Sequence, residues 1–365
     1  MKESIQQLKP YIPEEPISRL KERLGLTKLV RLSANENPYG TSSQVKEAVL
    51  AYVNSYDCSQ YPDGYATSLR TAIADFIKVP AESLVIGVGL DEVITLLSRT
   101  FLTAGDSIVI STPTFSEYAL NGQLEGAIIK GVPCNEVTGA TDLEGMVDAI
   151  DETTKLVWLC NPNNPTGTYV SVEAIRKFMK QIPKDVLVLI DEAYIEFVSS
   201  VEAPSALPLL AEFENIGIMR TFSKAYGLAN YRVGYLVLGK ALVNYVQTIR
   251  LPYNLNSVSQ VAAEAALGDQ AFIRRVVAAN AVARAGWEAY LAEKGLHYYA
   301  SEANFLFVEF KSPEEAKAVA DMWLQAGYQV RVGLRPQWLR ITIGEAEDCK
   351  IMQQLLGQFL ETCTM

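Results

Sequence analysis

The sequence predicts an α/β fold: a large unit on a mainly parallel mixed sheet sandwiched by helices, followed by a smaller α+β unit. Three observations lead there. Continuous apolar runs at 84–86, 108–110, 127–129, 156–159 and 186–190 alternate with helical stretches such as 171–181. Strands apolar on both faces belong to a parallel sheet covered on each side. The chain has 365 residues, more than one small core accommodates. After about Pro252 the pattern changes to an alanine-rich helical region at 257–294, an alternating strand at 304–309, a helix at 313–326, and strands near 329–332 and at 338–343.

Composition removes several function classes. Hydrophobic residues make up 49% and charged residues 20%, with a net charge of −10. That is globular rather than disordered composition, and the acidic balance argues against nucleic acid as a partner. An anionic substrate stays open, because a pocket can be basic on an acidic protein. Residues 1–10 lack the apolar core of a signal peptide, and no run reaches the ~18 apolar residues of a membrane span. Five scattered cysteines (Cys58, Cys134, Cys160, Cys349, Cys363) have no metal-ligand spacing, so no metal site and reduced, cytoplasmic thiols are expected. The single histidine, His297, has no acidic or nucleophilic neighbour in sequence and reads as structural. Histidine-dependent hydrolysis and histidine-rich metal catalysis lose their support.

Taken in order, residues 1–30 read as an arm. Pro10, Pro13 and Pro16 interrupt any long helix, and 17–24 suits a short one. Turn formers fill 31–40. Thr41 is the expected cap of the next helix, whose Val45, Ala48, Val49 and Tyr52 share one face. The strand at 84–86 runs into Gly87-Val88-Gly89-Leu90-Asp91-Glu92. Such a glycine turn opening a helix suits a phosphate cradle, and equally a plain turn with an acidic helix start. Phe115, after the strand at 108–110, suits a ring stacked on a planar ligand or a core residue.

The next strand ends in Cys160-Asn161-Pro162-Asn163-Asn164-Pro165-Thr166-Gly167. Two Asn-Pro pairs force a rigid, non-helical turn and leave an asparagine amide at the strand's carboxyl end. Asp191-Glu192-Ala193-Tyr194 follows the run 186–190. A carboxylate ending a buried strand needs a partner, either a ligand cation or a salt bridge or cap. Finally, Thr221-Phe222-Ser223-Lys224 lies between apolar runs at 216–219 and 233–238, with Arg232 eight residues after the lysine. A lysine beside a second cation is pushed below its reference pKa of about 10.4 and becomes a nucleophile. The binding sites of such sheets lie past the strands' carboxyl ends, where all these residues fall.

Asn-Pro-Thr-Gly, Asp-Glu-Ala-Tyr and the Ser-Lys segment with its later arginine, in this order, resemble the fold-type I, class I/II pyridoxal-phosphate (PLP) aminotransferases over nearly the whole chain. Within them, Ser-Ala-Asn-Glu-Asn-Pro-Tyr-Gly, Tyr61-Pro62-Asp63-Gly64 and Leu339-Arg340-Ile341-Thr342-Ile343-Gly344 look like the histidinol-phosphate branch. The resemblance implies an N-terminal arm at 1–30 joining the small domain, a large PLP-binding domain at 31–255 and a small domain at 256–365. It implies a cofactor lysine, Lys224, bonded to the PLP aldehyde and moving the substrate proton. Asp191 would face the ring nitrogen, Tyr194 and Asn164 the ring hydroxyl, and Phe115 the ring face. Leu90, Asp91 (through its backbone amide), Thr221, Ser223 and Arg232 would hold the phosphate, joined by Tyr61 from a second subunit of a homodimer with shared sites. Arg340 would clamp the substrate carboxylate and also serve a substrate phosphate. Arg331 would be the second phosphate ligand, with Arg335 as a competitor. Tyr253 would reach across from the partner, and Asn35, Glu36 and Tyr39 would line the entrance.

The implied reaction is amino transfer from L-histidinol phosphate to 2-oxoglutarate, giving imidazole-acetol phosphate and glutamate, on small-molecule partners without nucleic acid or membrane. Aromatic amino-acid transamination and threonine-phosphate decarboxylation are the rivals that use the same cofactor.

Overall fold

The computed structural model describes residues 3–6, 8, 14–55 and 59–362; Pro10, Pro13, Cys58 and Cys363 lie outside them. Two sheets organise the chain. β1 (Val30–Leu32) belongs to the smaller one. The larger contains β2 (Leu84–Val88), β3 (Ser107–Thr112), β4 (Ile128–Pro133), β5 (Thr154–Cys160), β6 (Leu187–Asp191), β7 (Ile216–Thr221) and β8 (Val233–Leu238), in the order β2-β8-β7-β6-β5-β3-β4. Among the described residues, β8 runs antiparallel to both β2 and β7, and the other pairs of this sheet are parallel. β6 and β8 are buried along their whole length, and β5 at every position but Lys155, as expected of strands covered on both faces.

The small sheet is ordered β1-β10-β11-β9, from β9 (Phe305–Glu309), β10 (Tyr328–Arg335) and β11 (Trp338–Thr342). β1 joins parallel to β10, so the segment after the arm is stitched to the chain's far end. In the antiparallel β10–β11 pair Arg331 stands opposite Arg340, and Arg335 opposite Trp338.

Two local expectations change. The helix Ser43–Ser55 is capped by Ser42, not Thr41: the Gln44 amide donates to Ser42 Oγ at 3.1 Å, while Thr41 Oγ1 donates to the Gly227 carbonyl at 2.7 Å. Thr41 thus fastens the segment to the Lys224 loop. The region 257–294 is two helices, Ser257–Gly268 and Gln270–Glu293. They break at Asp269, whose carboxylate accepts the Phe272 amide and caps the second. Ala262, Ala263, Ala266 and Phe272 lie in the core of the large sheet, whereas Trp287 and Leu291 lie in that of the small one. We propose that the change of unit falls inside the helix Gln270–Glu293, about one helix later than 255/256, because burial divides there.

Candidate active site

Connectivity gathers the candidate residues on one edge. Asp191 and Thr221 are the last residues of β6 and β7, Asn164 follows β5, and Phe115 follows β3. β8 runs the other way, so its start at Val233 lies on this same edge, just after Arg232.

The floor of the site is a short buried network. Asp191 Oδ2 accepts from the Tyr118 hydroxyl at 2.6 Å and Oδ1 from the Ala193 amide at 3.0 Å. Burial pushes its carboxyl up to about 6, against those two donors. A buried carboxylate with this environment is stabilised by a cation placed against it. Tyr118 is fully buried and stacks on Trp158 at 4.9 Å. Sequence reading missed it, because a tyrosine on a helix facing the sheet looks like core; its signal was a hydroxyl three residues after Phe115. Phe115 itself is half-buried, edge-on to Tyr118 at 5.7 Å.

Lys224 Nζ donates to the Ala34 carbonyl at 3.0 Å and lies 5.7 Å from the centre of the Tyr194 ring. Burial first, then the Arg340 charge, lower its amine to about 8, so near neutrality a sizeable fraction is uncharged and nucleophilic. The Tyr194 oxygen accepts from Asn35 Nδ2 at 3.0 Å and from Asn164 Nδ2 at 3.5 Å. Asn164 turns its oxygen the other way, to accept from Arg340 Nη1 at 2.6 Å. Arg340 is buried, lies over Phe305 at 5.4 Å, and donates through Nη2 to the Ser33 carbonyl at 2.6 Å. Its Nε is buried without a partner, and burial lowers its guanidinium to about 10. A buried, unpaired guanidinium N–H is costly unless an anion meets it.

A second cationic corner surrounds the turn before the helix Gly89–Phe101. Arg232, in left-handed backbone at φ 55°, donates through Nη2 to Asp91 Oδ2 at 2.9 Å and through Nη1 to the Ala229 carbonyl at 3.1 Å. Thr221 Oγ1 and Ser223 Oγ lie 3.0 Å apart, and the Ser223 amide donates to Thr221 Oγ1 at 3.0 Å. A Cβ on Gly234 would come within 2.8 Å of the Gly89 backbone, and one on Gly89 would strike the Arg232 guanidinium. The glycines therefore let Arg232 lie against the helix N-terminus beside the Leu90 and Asp91 amides. Hydroxyls, backbone amides and a guanidinium make a donor set suited to a phosphate.

Other candidates stand elsewhere. Arg331 Nη1 pairs with Glu14 Oε1 at 3.1 Å, and the second Glu14 oxygen accepts from Ser33 Oγ at 2.8 Å. Arg335 Nη1 donates to the Tyr299 hydroxyl at 3.1 Å and lies against Trp338. Tyr61 and Tyr253 stack at 4.8 Å on the surface, 82% and 49% exposed. Glu36 pairs with Arg31. Tyr39 is half-buried against the main core. Asn35, expected at the entrance, is interior at 1% exposure, because the small sheet closes over it. His297 bonds Glu309 at 2.6 Å and the Val137 carbonyl at 3.0 Å, away from the residues around Lys224.

Residues 27–355 match the family described as aminotransferase class I and II. The chain is 49% identical to the histidinol-phosphate aminotransferase of Limosilactobacillus fermentum, over 99% of each chain, and 49% identical to that of Lactiplantibacillus plantarum, over 98% of this chain and 99% of that one. Among solved structures, histidinol-phosphate aminotransferase from Sinorhizobium meliloti in complex with pyridoxal-5'-phosphate superposes with a TM-score of 0.89 at 26% identity, covering 100% of this chain and 98% of that one.

Proposed function

Because the chain belongs to the class I and II aminotransferases, we propose that it moves the amino group of L-histidinol phosphate to 2-oxoglutarate on PLP, giving imidazole-acetol phosphate and glutamate. The activity named for the half-identical relatives supports the substrate. The observation that carries the reading is the hydrogen-bonded set of Tyr194, Asn164 and Arg340 facing the Lys224 amine, with the Arg340 Nε left unpaired.

The residues fit the cofactor. Arg232, Ser223, Thr221 and the amides of Leu90 and Asp91 are the donors for its phosphate. Asp191 is the counter-charge for a protonated ring nitrogen, Tyr194 and Asn164 are the donors for the ring hydroxyl, and Phe115 covers the ring. When bound, PLP supplies an aldehyde to carry the amino group and a ring to accept the electrons released at the substrate carbon. The Lys224 amine, uncharged once released, would take the proton from the substrate carbon and deliver it to the carbon that was the cofactor's aldehyde. Arg340 holds the carboxylate of 2-oxoglutarate or glutamate and the phosphate of the other substrate, its Nε gaining the missing acceptor. Arg331 lies across the ladder from Arg340 and serves as the second phosphate ligand once Glu14 yields it. Arg335, engaged with Tyr299 and Trp338, does not.

Tyr61 and Tyr253 form an apolar surface with Leu251, which is 67% exposed. A second copy of the chain covers it, so that Tyr61 meets the partner's cofactor phosphate and Tyr253 the partner's substrate in a cytoplasmic homodimer.

The test follows the absorbance of the PLP-loaded protein in a single half-reaction with L-histidinol phosphate, phenylalanine or threonine phosphate. Conversion at the lowest concentration with L-histidinol phosphate is expected. Conversion by phenylalanine alone would make the enzyme an aromatic aminotransferase, and carbon dioxide released from threonine phosphate would make it a decarboxylase.

A further inference from the structure

Asn35 occupies an unusual position. Its backbone is left-handed, at φ 54°, and it is buried. Asparagine tolerates that region better than other residues with a Cβ. Every polar group it carries has a partner. Its amide donates to Thr342 Oγ1 at 3.0 Å, and Thr342 Oγ1 in turn donates to Asn35 Oδ1 at 2.9 Å. Its carbonyl accepts from Asn304 Nδ2 at 3.1 Å. Those bonds fasten the segment to the small sheet, and a structural turn needs no more. The fourth bond, from Nδ2 to the Tyr194 oxygen at 3.0 Å, crosses to the large unit and has no part in holding the turn.

We propose that Asn35 is a positioning residue for Tyr194: its amide fills the acceptor side of the phenol oxygen, so that the Tyr194 hydrogen is donated into the site. This rests on the reading above that Tyr194 meets the cofactor's ring oxygen. A phenol that receives a hydrogen bond is also a stronger donor, since charge drawn from its oxygen polarises its own O–H. The other groups facing Tyr194 are Asn164, Arg340, Lys224, Asp191 and the Cys160 thiol; of these, Asn164 Nδ2 also reaches its oxygen, at 3.5 Å against 3.0 Å for Asn35, so the Asn35 amide is the nearer donor. Thr342 stands two residues after Arg340 on β11. The Asn35 amide therefore ties the strand that carries the substrate arginine to the hydroxyl that faces the cofactor. Sequence reading put Asn35 at the entrance because nothing local marks a contact spanning 159 positions.

The experiment is a pH titration of the visible absorbance of the PLP-loaded protein, without substrate, for wild type, Tyr194→Phe, Asn35→Asp and Asn35→Gly. Asp keeps the shape and the backbone tolerance but offers an acceptor, which draws the Tyr194 hydrogen away. Gly keeps the backbone and removes the side chain. Tyr194→Phe is expected to raise the proton affinity of the Lys224–cofactor linkage about tenfold, the worth of one hydrogen bond. Asn35→Asp should raise it nearly as much, and Asn35→Gly by less. A turn that only fastens the segment changes the melting temperature and leaves the titration midpoint in place. A shift with Tyr194→Phe but with neither Asn35 variant overturns the proposal. No shift with Tyr194→Phe overturns the assignment of Tyr194 on which it stands.

Discussion

The Asp191 carboxyl shows how a site residue acts against the fold that holds it. Burial pushes its pKa in the folded protein up to about 6 from an ordinary 3.8. For an acid, a raised folded pKa means that the charged form is the strained one. The penalty is absent below about pH 4, grows between pH 4 and 6, and reaches about 3 kcal/mol above that window. Asp191→Asn is therefore expected to raise the melting temperature of the cofactor-free protein at pH 8 and to leave it unchanged at pH 4, while weakening PLP binding. Equal melting temperatures at pH 8 would mean that the buried carboxylate carries no such strain. Lys224 titrates with the opposite charge. Its amine is lowered to about 8 from 10.5, so the uncharged fraction rises with pH through that value. The rate at which cofactor-free protein takes up PLP should climb from pH 7 to 9 and level off beyond, measured by stopped-flow absorbance. Tyr118→Phe should leave the fold intact and weaken PLP retention about tenfold, read by equilibrium titration, since it removes one of the two donors on Asp191.

Among the elements, the β10–β11 pair sets which arginine stands beside Arg340, and so which one the proposed function gives to the substrate phosphate. Arg331, Arg335 and Arg340 all lie on these two strands, and composition alone does not separate them. A register irregularity between Arg331 and Arg335 sets the first opposite Arg340 and the second opposite Trp338. Register depends on pairing between strands, which a linear motif does not carry; hence the motif around Arg340 was legible and the choice of second arginine was not. The same limit explains the helix start at Ser43, where two adjacent hydroxyl residues compete and a distant carbonyl, Gly227, claims Thr41. By contrast, the inner strands of the large sheet were legible because burial on both faces writes itself as continuous apolar runs, whereas β4, at the sheet's edge, leaves Ile128 exposed. Arg331→Gln should raise KM for L-histidinol phosphate at least tenfold with little change for 2-oxoglutarate, and Arg335→Gln should alter neither. Glu14→Gln should lower KM for the phosphorylated substrate, because it frees Arg331 from a carboxylate held at 3.1 Å. A higher KM would instead make Glu14 a residue that orients Arg331.

At the scale of the whole molecule, several large apolar side chains stay on the surface. Tyr61, Tyr65, Leu251 and Tyr253 are large, apolar and exposed together with Leu50 and Val53 of the helix Ser43–Ser55. Of these, Tyr61 and Tyr253 stack on one another at 4.8 Å, and an exposed apolar cluster marks an interface more often than open solvent. Tyr253 holds left-handed backbone at φ 56°, a conformation that costs free energy in a tyrosine and persists where surroundings demand it. We expect Leu251→Glu to split the protein into monomers, since two copies of a symmetric interface would each bury a new charge. Sedimentation velocity reports the change of state, and the same samples titrated with PLP report whether the cofactor site is shared. If Tyr61 meets the partner's cofactor phosphate, dissociation and loss of PLP affinity appear together, and Tyr61→Phe lowers affinity while leaving the dimer whole. A monomer that binds PLP as tightly as wild type would leave Tyr61 a packing residue, and the site would be complete within one chain.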